Sequence, residues 1–81
     1  MRLRRDLSGR ALIALLAELD YQPTRQTGSH VRLTTDRCGQ HHVTIPLHDP
    51  LRLGTLAAIL NAVATHHGLS RDELLGMLKL G

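Results

Sequence analysis

Aromatic side chains are nearly absent from this chain of 81 residues. Tyr21 is the one aromatic residue, and there is no Phe or Trp. Binding of single-stranded nucleic acid by base stacking needs aromatic platforms, so this scarcity argues against that mode of recognition. A core must instead be built from Leu, Ile, Val and Ala, and an apolar content of 42% is enough for one modest core.

Cysteine and long apolar runs are scarce as well. Cys38 is alone, so no internal disulfide bond can form, which fits a reducing cytoplasm. The longest apolar run, residues 11–17, is too short to cross a bilayer, and no cleavage site of small residues follows it. We therefore expect one domain over residues 1–81, located in the cytoplasm, with no membrane partner.

Lysine is the third scarce residue type, because nine of the ten basic residues are Arg and only Lys79 is Lys. Arg matches phosphate with a planar fork, so a small domain with a formal net charge of +3 suits contact with nucleic acid. A genomic preference for Arg codons explains the same composition equally well. Arg4, Arg5 and Arg10 are candidates for a phosphate-binding face at the first helix, or for ordinary solvated charge.

Spacing of apolar residues predicts three helices. Ser8 caps the first, which runs over residues 9–19 with a stripe of four Leu residues. The second opens at Gly54-Thr55, with Thr55 as the cap, and stops at Gly68. Ser70 and Glu73 form the capping box of a short third helix.

Three strands are predicted between the first two helices, over residues 24–26, 30–35 and 41–46. Pro23 suggests that the first is an edge strand, and Gly39 lies in a hairpin loop that favours positive φ. Strands that are adjacent in sequence imply an antiparallel sheet with helices on one face. The result is an α+β fold of order α-β-β-β-α-α, which is the layout of the double-stranded-RNA-binding domain.

The segment from Thr27 to Arg32 carries the densest chemistry. Gly28 lets the backbone turn and approach another molecule, and the Ser29 hydroxyl can donate to a phosphate oxygen. His30 and Arg32 project from the same face of a strand, so a proton-transfer group lies beside a phosphate-binding fork. Gly-Ser is also common in ordinary turns, and the simpler interpretation of His30 is a surface histidine.

Six histidines raise the question of a metal, but their spacing does not favour one. The adjacent pairs 41–42 and 66–67 project in different directions, and the sequence contains neither a second Cys nor a His-Glu-x-x-His motif. His66 and His67 fit the C-terminus of a helix, where a positive charge suits the helix dipole. We therefore expect no metal and no other cofactor.

Three motifs occur in order: Gly28-Ser29-His30, then Ile45-Pro46-Leu47-His48, then Gly54-Thr55-Leu56. Together, within this order of elements, they resemble the HicA family of toxin ribonucleases from Ser8 to Leu78. The resemblance implies metal-free cleavage of mRNA and neutralisation by a HicB-type antitoxin. It implies that His30 is the catalytic histidine, that Gly54 and Thr55 match the family's Gly-Thr, and that His48 supports catalysis or contacts substrate.

The chain departs from the family pattern at two places. The turn after the first helix usually reads Gly-Phe, and here it is Asp20-Tyr21. A lysine often precedes the Gly-Thr, and here that position is Leu53, with Arg52 one place earlier. These changes bear on substrate contacts more than on the catalytic histidine.

A metal-free ribonuclease must remove the proton of the 2′-hydroxyl, stabilise a pentacoordinate phosphorane and protonate the leaving 5′-oxygen. His30 suits the first or the last of these tasks. Arg25, Arg32 and the Ser29 hydroxyl are candidates for charge stabilisation, and the helix start at Gly54-Thr55 is a candidate anion site. His48 is the best candidate in the sequence for the second proton transfer, although the pattern slightly favours the simpler interpretation of a loop histidine with no catalytic part.

Two other functions stay open on the sequence. One is a non-catalytic RNA-binding module of the same fold, which would not require the Gly-Ser-His and Pro-x-His motifs together. The other is a protein-interaction domain whose basic character is incidental, and such a domain would show no salt-sensitive binding of RNA.

Overall fold

The computed structural model describes residues 6–80, and its helices and strands follow one another in the predicted order. The helices are α1 (Gly9–Leu16), α2 (Leu53–His67) and α3 (Arg71–Met77), and the strands are β1 (Gln22–Thr27), β2 (His30–Thr35) and β3 (His41–Pro46). The order α-β-β-β-α-α and the α+β class are therefore confirmed. No helix within residues 6–80 is both long enough and apolar enough to cross a membrane.

The first helix is shorter than its apolar stripe predicts. Ser8 caps α1 as expected, since its hydroxyl accepts from the amide of Ala11 at 3.1 Å. The α-helix ends at Leu16, and Ala17–Leu19 form one turn of 3-10 helix that closes on Asp20 in the left-handed conformation, with φ of 63°. This tighter turn keeps Leu19 buried, so the stripe of Leu residues indicates burial correctly but overstates the length of the α-helix.

The three strands form one antiparallel sheet in the order β1-β2-β3. The first strand is longer than predicted, spanning Gln22–Thr27, because Pro23 occupies an edge strand where its missing N–H costs no ladder hydrogen bond. A bulge between Pro23 and Arg25 sets the register of β1 against β2. The predicted ranges of β2 and β3 are confirmed, and Gly39 has the expected positive φ of 95°.

One face of the sheet packs against the helices. Val31 and Leu33 of β2 and Val43 and Ile45 of β3 alternate with exposed residues and point toward this layer. The apolar core that they join is made almost wholly of aliphatic side chains: Leu7, Leu12, Leu16, Leu19, Leu51, Leu56, Ile59, Leu60, Val63, Leu74, Leu75, Leu78 and Leu80, with Tyr21 as the one aromatic member.

The cap of α2 differs from the prediction. Arg52 is the N-cap residue and gives no side-chain hydrogen bond to the helix, while Thr55 lies inside the first turn and is not the cap. Gly68 ends α2 with φ of 66°, as predicted. The capping box of α3 is confirmed, and the backbone N–H and side chain of Ser70 hold the pKa of the Glu73 carboxyl below its ordinary value.

Candidate active site

The face of the sheet that the helices leave uncovered is almost entirely polar. Strand alternation and register assign one apolar side chain, Pro46 of β3, to this open face, and nine polar ones: Gln22, Thr24, Arg25 and Thr27 of β1, His30, Arg32 and Thr34 of β2, and His42 and Thr44 of β3. Eight of them are exposed and Thr34 is partly buried. The face carries two Arg and two His residues and no carboxylate, because all seven acidic residues lie outside the strands.

Two arginines face each other across the first strand pair. Arg25 lies directly opposite Arg32 in the register of β1 and β2. The bulge puts Thr24 and Arg25 on the same side of the sheet, because two residues of β1 there oppose one residue of β2. Like charges in directly opposed positions are unfavourable for a sheet. Their pairing at an exposed site with no carboxylate on the face is what an anion-binding surface requires.

His30 lies two residues from Arg32 on this face, as the sequence predicts. Its cross-strand neighbours are Thr27 on β1 and Pro46 on β3. Thr27 and His30 are joined by the two-residue turn Gly28-Ser29, in which Gly28 has φ of 58°. No atom lies within 4 Å of the position that a side chain at Gly28 would take, so the turn is open to an approaching molecule.

The segment after β3 is fixed against this turn. The amide of Leu47 donates to the carbonyl of Ser29 at 2.7 Å, which places the backbone of His48 next to the Gly-Ser-His turn. The carbonyl of His48 in turn accepts from the amide of Gly9 at 2.9 Å. A Cβ at Gly9 would overlap the carbonyl oxygen of Pro46, so glycine is what allows α1 to start this close to the strand.

Helices α1 and α2 both begin at this end of the sheet. The C-terminus of α2 lies at the β2–β3 hairpin, since His66 bonds to the carbonyls of Arg37 and Gly39. The amide of Leu51, two residues before α2, donates to the carbonyl of Leu7 at 2.8 Å, just before the start of α1. The first turn of α2 therefore lies near the start of α1, at the opposite end of the sheet from the hairpin. We call this the His30 end: the turn 28–30, residues 46–48, and the first turns of α1 and α2.

The start of α2 therefore shares an end of the molecule with His30. Neither a capping side chain nor an acidic residue occupies the first turn of α2. Gly54 is exposed, and nothing lies within 4 Å of the place where its side chain would be. Backbone N–H groups at an uncapped helix start favour an anion, and the N-terminus of α1 adds a second positive dipole end here.

Arg10 is separated from the arginines of the open face. It lies in the first turn of α1 and lines a cavity on the helical side of the sheet. The structure thus brings Arg25, Arg32 and His30 onto the open face. Arg10 lies on the other, helical side of the sheet. Arg4 and Arg5, which the sequence groups with Arg10, lie outside the described residues.

The opposite end of the molecule holds a different set of histidines. We call it the hairpin end: residues 36–40, Tyr21, His41, His66 and His67. The hydroxyl of Tyr21 lies 2.7 Å from Nδ1 of His41 and 3.1 Å from Nε2 of His67. The rings of His41 and His66 stack with centroids 4.3 Å apart. His66 and His67 lie in the last turn of α2 as predicted. The sequence does not show that His66 bonds to the hairpin and His67 to Tyr21.

The hydrogen-bond partners limit which nitrogen atoms of this cluster can carry a proton. His66 must donate from Nε2, because its two partners are carbonyl oxygens. Tyr21 has one hydroxyl proton, so it donates to one of His41 and His67 and accepts from the other. Nδ1 of His67 is buried without a hydrogen-bond partner, and protonating it would bury an unpartnered N–H.

Burial raises the pKa of Tyr21 to about 12. It also lowers the pKa of His41 and of His67 below the ordinary value, and nearby positive charge adds to both effects: His66 and His42 act on His41, and His66, Arg37 and His41 act on His67. His41 and His67 are therefore held neutral near pH 7. Within residues 6–80, no three side chains of His, Cys, Asp or Glu converge as metal ligands.

A third group of polar residues lies on the open face and belongs to none of the three sequence motifs. Thr34 bonds to Thr24 at 2.7 Å and to Nδ1 of His42 at 2.8 Å, across all three strands of the open face. His42 is about 13 Å along the sheet from His30, since four residues separate their positions in the register. Only the alternation of β3, read together with its register, could have placed His42 on the face of His30.

Comparison with known proteins rests on the family match. A family model described as the HicA toxin of bacterial toxin–antitoxin systems matches residues 9–64. No curated protein and no solved structure gives a match. The matched region runs from the start of α1 into the last turns of α2 and includes every element of the His30 end. Because it covers well over half of the 81 residues, the chain belongs to the family of HicA toxins of bacterial toxin–antitoxin systems.

Proposed function

We propose that this toxin is a metal-independent endoribonuclease that cleaves mRNA with His30 as its catalytic histidine. The observation that carries the proposal is the open face: an exposed His lies on one strand with Arg32, Arg25 stands opposite, and the face has no carboxylate. Such a surface attracts the phosphate backbone and offers a proton-transfer group beside it. Family membership supports a toxin of this kind.

The reaction uses the nucleophile that RNA carries. The 2′-oxygen attacks the adjacent phosphorus and loses its proton to His30, the bond from phosphorus to the 5′-oxygen breaks, and that oxygen takes up a proton. The products are a 2′,3′-cyclic phosphate and a free 5′-hydroxyl. Acid–base catalysis by one group is worth about 10²–10⁴-fold. Arg32, Arg25 and the Ser29 hydroxyl stabilise the charge that develops on the phosphorane oxygens.

The second proton transfer needs another group near His30. His48 is the histidine whose backbone is tied to this turn, through the hydrogen bond between Leu47 and Ser29. His42 lies on the same face but too far along the sheet to reach the same phosphate. We therefore assign His48 as the supporting group, and the N–H groups at Gly54-Thr55 as an anion site for a neighbouring phosphate.

The partners follow from the same surface. mRNA is the substrate, Gly28 gives it room at the turn, and a HicB-type antitoxin neutralises the toxin by competing for the basic open face. The location proposed for both is the cytoplasm. The alternative, a non-catalytic RNA-binding module, uses the same Arg pair but has no need for an exposed His beside it.

The test is cleavage of a long single-stranded RNA by the purified protein in EDTA. We expect wild-type protein to cut, and the His30→Ala variant to be at least about 100-fold slower, because one proton-transfer group is lost. The products should carry 2′,3′-cyclic phosphate ends. The matching all-deoxy substrate should stay intact, since DNA lacks the 2′-hydroxyl.

His42→Ala is the matched control, because it removes an exposed His from the same face at the other end. Equal cleavage by wild-type and His30→Ala protein would overturn the assignment of His30. Binding of RNA without cleavage by any of the three proteins would instead establish the RNA-binding module.

A further inference from the structure

We propose that a small cavity beside the His30 end binds one unstacked base of the RNA, with guanine preferred; this inference rests on the proposed function. The cavity has a volume of about 250 Å³ and is lined by Arg10, Ile13, Pro23, Gln26, Val31 and Leu47. We call it the base cavity. It is smaller than the roughly 300–1,000 Å³ pockets that take drug-sized molecules, so it suits a single ring system.

The lining of the base cavity divides into apolar walls and two polar groups. Ile13 of α1, Pro23 and Val31 of the sheet, and Leu47 after β3 supply the walls. Arg10 and Gln26 supply the polar groups. A base has the same division, with two apolar faces and a polar edge. A bare phosphate would gain nothing from the walls, and therefore the lining favours a base as the occupant.

The polar groups favour guanine. Nε2 of Gln26 donates to the carbonyl of Gly28 at 3.0 Å, which leaves the Oε1 acceptor of Gln26 for another molecule. Within residues 6–80, the guanidinium of Arg10 makes no hydrogen bond or ion pair, so its donors are available. An Arg fork is the commonest specific partner of guanine, because O6 and N7 present two adjacent acceptors.

Two hydrogen bonds and one pair of neighbouring residues connect the base cavity to the proposed active site. Gln26 bonds directly to the Gly28 carbonyl in the catalytic turn, Val31 follows His30 in β2, and Leu47 donates to the Ser29 carbonyl. The cavity is on the helical side of the sheet and His30 is on the open side, so an RNA strand must pass over the turn to reach both. Gly28 leaves that path free, since no side chain stands there. The base of a nucleotide next to the scissile phosphate is thus the expected occupant.

The first test is binding of mononucleotides, observed by NMR on the full chain. Guanosine 3′-monophosphate should shift the amide signals of Gln26, Val31 and Leu47, and uridine 3′-monophosphate should bind more weakly. We expect the Arg10→Met variant to lose about tenfold or more in affinity for the guanosine nucleotide, the size of loss expected when a bidentate Arg–guanine contact disappears. Arg10→Lys should lose nearly as much, because charge without the fork cannot hold both acceptors.

Arg71→Met is the matched control, since it removes an exposed Arg from α3 and leaves the cavity intact. Shifts confined to Thr27, His30 and Arg32 would overturn the base cavity, as would equal affinity of wild-type and Arg10→Met protein. Gln26→Leu offers a second variant, because it removes the free acceptor from an exposed side chain and should weaken guanosine binding as well.

The second test maps cleavage sites on a long RNA of mixed sequence. Wild-type protein should cut next to guanine more often than next to other bases, and Arg10→Met should flatten this preference while it still cuts. Cleavage with an unchanged preference in Arg10→Met would overturn the base cavity and leave the proposed reaction in place. Binding of the guanosine nucleotide in the cavity by a protein that cuts no RNA would overturn the reaction alone.

Discussion

Both ends of this molecule carry histidines, which are partly buried at the hairpin end and exposed at the His30 end. At the hairpin end, His41, His66 and His67 are partly buried and bonded to Tyr21 or to backbone carbonyls. At the His30 end, His30 and His48 are exposed, and a backbone hydrogen bond from Leu47 to Ser29 joins their two segments. One end uses imidazole as a packing and hydrogen-bonding group, and the other presents it to solvent.

This difference separates an end that closes the fold from an end whose polar groups stay open to a partner. The hairpin end closes the fold, because α2, β3 and the residue just before β1 meet there through the Tyr21 hydroxyl. The His30 end gathers the uncapped start of α2, an open turn and a pair of opposed Arg residues, which leave interactions for a partner to complete. Substitutions at the two ends should therefore have different kinds of effect.

Gly9→Ala is expected to have the largest effect on stability. Its Cβ would overlap the carbonyl of Pro46 and crowd Leu47, so α1 must move away from the segment that holds His48. Overpacking of this kind costs about 1–3 kcal/mol or more in the free energy of unfolding, measured by urea titration. Cleavage should also fall, because the His30 end loses its support.

Gly76→Ala is the control for that change. Gly76 lies in α3 with nothing within 4 Å of the added Cβ, so we expect unchanged stability or a gain of about 0.5–1 kcal/mol. If Gly9→Ala were as stable as Gly76→Ala, the close approach of α1 to Pro46 would not be needed for the fold.

Tyr21→Phe tests the hairpin end. The substitution keeps the ring and removes the hydroxyl that joins His41 to His67, so both imidazoles lose a hydrogen bond in a place with little water. A loss of about 1–3 kcal/mol in unfolding free energy is expected. Cleavage per folded molecule should stay at the wild-type rate. A variant with wild-type stability and impaired cleavage would mean that the roles of the two ends are reversed.

The hairpin end should also make stability depend on pH. The pKa values of His41 and His67 are lowered in the folded protein, so the unfolded chain binds more protons once the pH falls below the ordinary histidine pKa of about 6.5. Unfolding free energy should therefore be constant above that pH and fall as the solution is acidified from about pH 6.5 toward the lowered pKa values.

Urea titrations between pH 7.5 and pH 5 measure this dependence. His67→Gln should flatten the slope, because it removes one of the two shifted groups and keeps an amide near the Tyr21 hydroxyl. Gly76→Ala should leave the slope as it is, because it removes no titratable group. Stability that rises on acidification would contradict the lowering of the His41 and His67 pKa values by burial.

The sequence predicts the fold well because its signals are local. The capping box at Ser70, the stop at Gly68 and the alternation of β2 each depend on residues only a few positions apart. The end of α1 and the true length of β1 were missed, since a 3-10 turn and an edge-strand proline are decided by how the chain packs next to its neighbours.

Local sequence signals predict the candidate site only in part. Alternation alone puts His30 and Arg32 on one face, but the opposition of Arg25 and Arg32 depends on a bulge that no local pattern indicates. The role of His66 as a donor to the hairpin depends on residues 27 and 29 positions away. Six histidines look alike in sequence, and only tertiary burial divides them into packing and exposed groups.

The smallest expected effect concerns the opposed Arg pair, and it is the sharpest test of the open face. Arg25→Gln removes a like-charge contact across β1 and β2, so the unfolding free energy should rise by about 0.2–1 kcal/mol. RNA binding should weaken, and the slope of log affinity against log salt should fall by about one, as expected for one lost phosphate contact. Measuring this in the His30→Ala background keeps the RNA intact, and Arg71→Gln controls for net charge. A variant that is more stable but binds RNA with an unchanged salt slope would show that the pair is unfavourable without serving the RNA, and the open face would then lose its main support as a phosphate-binding surface.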